Sequence, residues 1–127
     1  MTKAYIFITV AIIIILAVSI GSLYYLHISA DNIAIYFKPL EKAINREDWT
    51  EAQNYFSQSK ALWPKYSRIW PLLIDHQKVS EISKLYLRLE QAINNQDILQ
   101  AEQSLQELSY MVKQIPEAES ITWQNIL

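Results

Sequence analysis

Leu40-Glu41-Lys42-Ala43-Ile44-Asn45-Arg46-Glu47-Asp48-Trp49-Thr50-Glu51-Ala52 returns later in the chain as Leu89-Glu90-Gln91-Ala92-Ile93-Asn94-Asn95-Gln96-Asp97-Ile98-Leu99-Gln100-Ala101. Seven of thirteen positions are identical at an offset of 49. Each copy reads as the end of one helix, a tight turn and the start of the next. Asp48 and Asp97 suit the N-cap, and Glu51 and Gln100, three residues on, suit a capping box. Asn45 and Asn94 suit the left-handed position that closes the preceding helix. Two copies of this corner specify two αα-hairpins.

Apolar spacing outward from the corners is helical. Trp49, Ala52, Phe56, Ser59 and Trp63 alternate steps of three and four, as do Ile98, Ala101, Leu105, Leu108, Val112 and Ile115. A third series runs Leu72, Asp75, Val79, Ile82, Tyr86, Leu89 and Ile93, with Asp75 as a polar intruder. Such stripes bury one face of each helix against its neighbours. Helices are expected over 32–45, 49–63, 70–94 and 97–115. Pro39 should kink or restart the first, Pro64 and Pro71 bracket the link between hairpins, and Pro116 ends the last. The apolar tail 116–127, with Ile121, Trp123, Ile126 and Leu127, should fold back on the bundle.

At the other end, no Lys, Arg, Asp or Glu stands between Lys3 and Asp31. Ala4 to Leu26 is 23 residues, roughly 34 Å of helix, which is enough to cross a bilayer. Tyr5 at one end and Tyr24, Tyr25 and His27 at the other suit the headgroup boundaries. A cleaved signal peptide competes, but its apolar region is shorter, and the best cleavage site, after Ala30, has Ile28 two positions earlier. The expected division is therefore an anchor at 1–30 and an extracytoplasmic helical domain at 31–127, with hairpins 32–63 and 70–115. Lys3 and a very short tail favour a cytoplasmic N-terminus in a single-pass protein of the cell membrane, although Lys38, Lys42 and Arg46 lie beyond the other end. Ala17 and Gly21 form a small-xxx-small pair through which copies of the helix could associate.

Composition narrows the chemistry. The 127 residues hold no cysteine and one glycine, which excludes disulfides, thiolate metal sites and glycine-rich phosphate loops. One glycine also argues against a β fold, so the fold class expected is all-α. The net charge of −2 does not favour nucleic acid. From Lys38 to Arg88 nine basic residues meet six acidic ones, whereas from Glu90 onward six acidic residues meet Lys113 alone. Solvated helix faces account for this division, and a basic half facing anionic lipid is the sharper alternative.

Asp75 and His76 are the one pairing that suggests chemistry. Near Trp63 and Trp70 they could line a ligand pocket or act as a pH-sensitive contact. Alternatively Asp75 caps its helix or pairs with Arg68, while His76 packs beside the tryptophans. Adjacent residues on a helix do not face each other, so a catalytic dyad is disfavoured. Neither a nucleophile–base set nor matched metal ligands stand out, so no cofactor is expected. Trp49 and Trp63 lie on the core stripe, and Trp123 is left as a possible contact residue. The expected role is non-enzymatic: an accessory or scaffold protein that binds another envelope or membrane protein, with a small-ligand or pH sensor as the alternative.

Two resemblances bear on these expectations. Leu40, Trp49, Ala52, Phe56 and Pro64 have the spacing of a tetratricopeptide repeat, with Ala43 where that motif has a large aromatic. The repeat offset is too long for a regular array, so the likeness is one of hairpin geometry. Trp63, the stretch Trp70-Pro71-Leu72-Leu73-Ile74-Asp75-His76 and the ending Ser120-Ile121-Thr122-Trp123-Gln124-Asn125-Ile126-Leu127 resemble the family called domain of unknown function 4363. Gln77-Lys78 depart from it, since acidic residues are expected there. That resemblance implies a membrane protein of spore-forming Gram-positive bacteria and carries no activity.

Overall fold

Helix follows helix throughout the computed structural model, which describes the backbone of residues 1–126 and the side chains of residues 1–117. The order is α1 (Thr2–Ala34), α2 (Phe37–Asn45), α3 (Trp49–Ile69), a 3₁₀ turn (Trp70–Leu72), α4 (His76–Asn94) and α5 (Ile98–Ile126), with no strand among the described residues. The protein is all-α: a long apolar N-terminal helix leads into a bundle of two αα-hairpins, α2–α3 and α4–α5.

Both repeat corners close in the same way. In the first, the Asp48 amide donates to the Ala43 carbonyl (2.9 Å) and the Glu47 amide to Ile44 (3.0 Å). In the second, Asp97 donates to Ala92 (2.9 Å) and Gln96 to Ile93 (3.1 Å). These bond pairs satisfy the orphan carbonyls of a helix end. Asp48 Oδ1 then accepts from the Glu51 amide, and Asp97 Oδ1 from the Gln100 amide, each at 3.2 Å. The return half of a capping box is not made, because each Asp amide already serves the preceding helix. The left-handed residues are Glu47 (φ 55°) and Gln96 (φ 54°), not Asn45 and Asn94. Arg46 and Asn95 keep right-handed helical geometry as C-caps, so the reversal comes two residues later than the asparagines suggest.

Prolines mark the helix ends less well than expected. The first break falls at Ile35–Tyr36, and Pro39 sits in the first turn of α2, where its missing N–H is no loss. Ile35 carries the carbonyl that Pro39 would have needed to bond in a continuous helix. Pro64 lies inside α3 and Pro116 inside α5. Beyond Pro64 the stripe continues through Tyr66 and Trp70, both buried. Their burial, about 1.5–3 kcal/mol per large apolar side chain, offsets the roughly 3 kcal/mol cost of an interior proline. The link between hairpins is thus 70–75, α4 starts at His76 and not at 70, and α5 runs past Pro116 to Ile126. Whether the side chains of Ile121, Trp123, Ile126 and Leu127 pack back on the bundle lies outside the described residues.

The core reaches into α1. Leu26, Ser29, Ala30 and Ile33 are buried with Leu40, Ile44, Phe56, Ile82, Leu89, Leu105, Leu108 and Val112. A boundary at residue 30 cuts through this helix, whose last turns pack on α3 and α5.

Candidate functional site

The junction between α1 and the bundle gathers most of the buried polar chemistry. Trp70 is fully buried, and its Nε1 donates to Ser29 Oγ at 2.8 Å. Ser29 Oγ donates in turn to the Tyr25 carbonyl at 2.7 Å. One turn further, Asn32 Nδ2 donates to Tyr66 Oη at 3.1 Å, and Ser59 Oγ lies 3.4 Å from the Ile33 carbonyl. Tyr25 meets Tyr66 edge-on with ring centroids 6.2 Å apart.

An aromatic column leads from this junction into the hairpins. Trp70 meets Trp63 edge-on at 5.3 Å, Trp63 stacks on Tyr86 at 5.7 Å, and Tyr86 tilts against Phe56 at 6.1 Å. Trp63 Nε1 donates to Ser83 Oγ at 2.9 Å, and Tyr86 Oη shares a 2.8 Å bond with Ser59 Oγ. Burial pushes the Tyr86 phenol well above its ordinary range, with the Ser59 bond opposing only in part. Lys60 on α3 and Glu90 on α4 form an ion pair at the surface. Both tryptophans thus have core positions and engaged indole nitrogens, as buried Trp requires.

Asp75 and His76 take different places. Asp75 is exposed and caps α4, its Oδ1 accepting from the Gln77 amide at 3.0 Å. It stands off the apolar stripe, whose buried residue at this turn is Ile74. Leu72, also assigned to that stripe, is exposed. His76 is the exposed first residue of α4. The groove that Asp75 lines runs between α4 and α5 beside Lys78, Glu81, Tyr110, Met111 and Gln114, and neither His76 nor the tryptophans line it. Of the four residues of the expected pocket, Trp63 and Trp70 are brought together in the core, while Asp75 and His76 stay exposed at the start of α4. Trp123 lies outside the described side chains.

Along α1, Lys3, Tyr5, Tyr24 and His27 are exposed and Tyr25 is half-buried. Ala17 and Gly21 share an exposed face, and a Cβ on Gly21 would meet nothing within 4 Å. From Tyr5 to Ile20 the large apolar side chains are exposed on every side of the helix, save Leu16, which is half-buried. This N-terminal helix is long and apolar enough to cross a membrane.

A further groove, which sequence reasoning does not single out, runs between α2 and the start of α3, where Lys38, Lys42 and Arg46 stand on successive turns opposite Asp48, Glu51 and Tyr55. Their spacing of four, legible in the sequence, puts the three cations on one face of α2.

No curated protein and no solved structure matches the chain. The model of the family described as Domain of unknown function (DUF4363) matches residues 20–126, reaching from the last turns of the apolar stretch through both hairpins, and the chain belongs to that family.

Proposed function

We propose that the protein is a non-enzymatic, single-pass membrane accessory protein whose bundle binds another membrane or envelope protein. One observation carries the reading: α1 passes without a break from its wholly exposed apolar part into the core of the bundle. A helix apolar all round needs lipid or protein around it, and Ala4–Leu26 has the length of a bilayer span. The Ser29–Trp70 and Asn32–Tyr66 bonds leave no hinge between that span and the hairpins, so the bundle is held in a set orientation close to the membrane. That suits presentation of a surface to a partner. On this reading Lys3 marks the cytoplasmic end of the span and the bundle lies outside the cytoplasm.

A small-ligand or pH sensor built on Asp75 and His76 ranks second, because the Asp75 carboxylate already serves as a helix cap. Crosslinking in native membranes followed by purification tests the first reading, which expects a stoichiometric protein partner. If no partner is recovered, and Asp75→Asn with His76→Gln abolishes the cellular phenotype without lowering thermal stability, the second reading replaces it.

A further inference from the structure

Between the hairpins the chain runs for six residues without charge, Ile69-Trp70-Pro71-Leu72-Leu73-Ile74, flanked by Arg68 and Asp75. Trp70 and Ile74 turn inward, whereas Leu72 at the tip is 82 % exposed. An apolar tip facing water forfeits the stabilisation that its burial would bring.

Its position relative to α1 accounts for the exposure. α3 runs antiparallel to α1: Ser59 meets Ile33, Trp70 meets Ser29, and the next residues reach further toward the N-terminus. Leu72 and Leu73 line a groove of about 250 Å³ with Val18, Ser22, Leu23 and Leu26 of α1. Every residue lining it is uncharged. The Ser19 and Ser22 hydroxyls turn back on the Ile15 and Val18 carbonyls, at 2.8 Å each. The tip is thus level with the last turns of the apolar stretch that ends at Leu26.

The corner's amides are compatible with a place at the membrane boundary. Pro71 has no N–H, and the Leu73 and Ile74 amides both donate to the Trp70 carbonyl at 2.8 and 2.9 Å. Among the described residues the Pro71, Leu72 and Leu73 carbonyls accept no backbone bond, so the backbone stays at the headgroup boundary and only the leucine side chains reach the acyl chains.

We infer that the Leu72–Leu73 corner inserts into the lipid beside α1 and forms a second membrane attachment of the bundle. This rests on the anchor reading above. A contact off the α1 axis limits the tilt of the rigid α1–bundle unit in the bilayer, which a single span leaves free.

The chain has no cysteine, so single probes can be placed at will. Leu72→Cys, Ile14→Cys on the anchor and Leu99→Cys at the exposed start of α5 would each carry an environment-sensitive fluorophore. The full chain is placed in vesicles of phosphatidylethanolamine and phosphatidylglycerol containing lipids with nitroxides at shallow and deep acyl carbons. Quenching at positions 72 and 14 several-fold stronger than at 99 is the expected result. Quenching at 14 alone overturns the inserted corner and leaves the anchor standing. Quenching at none of the three overturns both, and equal quenching at all three overturns the corner as a specific contact.

Discussion

Trp70, the first residue of the 3₁₀ turn after α3, donates its indole N–H to Ser29 in α1 across 2.8 Å of fully buried core. The two residues lie 41 positions apart, and their bond locks the apolar helix to the bundle. Ser29→Ala leaves the indole nitrogen buried without a partner, which costs about 1–3 kcal/mol. Denaturant melts of the full chain in detergent should show that loss. Combined with Trp70→Phe, the penalty should fall short of the sum of the two single changes, since the donor has gone.

The repeated corners provide a matched pair. Asp48→Ala and Asp97→Ala should each destabilise by about 1 kcal/mol, the usual worth of an N-cap. Glu47→Gly and Gln96→Gly should stabilise, by up to about 1 kcal/mol, because a non-glycine residue is strained in left-handed geometry. Opposite signs at neighbouring positions, read from melting temperatures, would distinguish the two effects. Loss of stability in Glu47→Gly would contradict the corner as described.

Pro64 is an exposed proline inside α3. Pro64→Ala restores a donor to the helix ladder and should raise stability by up to about 3 kcal/mol. Helical circular dichroism should be kept, and a lower melting temperature would show that the proline sets a bend the packing needs.

Tyr86 makes the bundle sensitive to alkali. Burial raises its folded-state pKa above the ordinary value, so the neutral phenol is favoured in the native state. Its contribution is whole below the unfolded value, about 10, and declines as pH rises above it. Stability should therefore fall above about pH 10, and Tyr86→Phe should flatten that limb of the profile. An unchanged alkaline limb in Tyr86→Phe would assign it to other groups.

Helix type, hairpin pairing and the two corners were legible along the chain because they rest on local chemistry. The 3.6-residue stripe, the Asp caps and the repeat need only near neighbours, and so does the apolar stretch from Ala4 to Leu26. The prolines misled for the opposite reason. Whether Pro64 ends a helix depends on how much Tyr66 and Trp70 gain beyond it, and that gain comes from α1 and α4. Asp75 misled similarly: periodicity put it on a buried stripe, but the 3₁₀ turn before it shifts the register, so Ile74 turns inward and Asp75 caps.

Sequence alone therefore determined an all-helical chain with one greasy N-terminal helix and two hairpins, since propensity and periodicity act over a few residues. Only the tertiary structure decided that this helix enters the core, that Trp70 joins Trp63 there, and that Leu72 stands beside α1. Those outcomes depend on which surfaces meet across tens of residues of intervening chain, and no local pattern encodes that meeting.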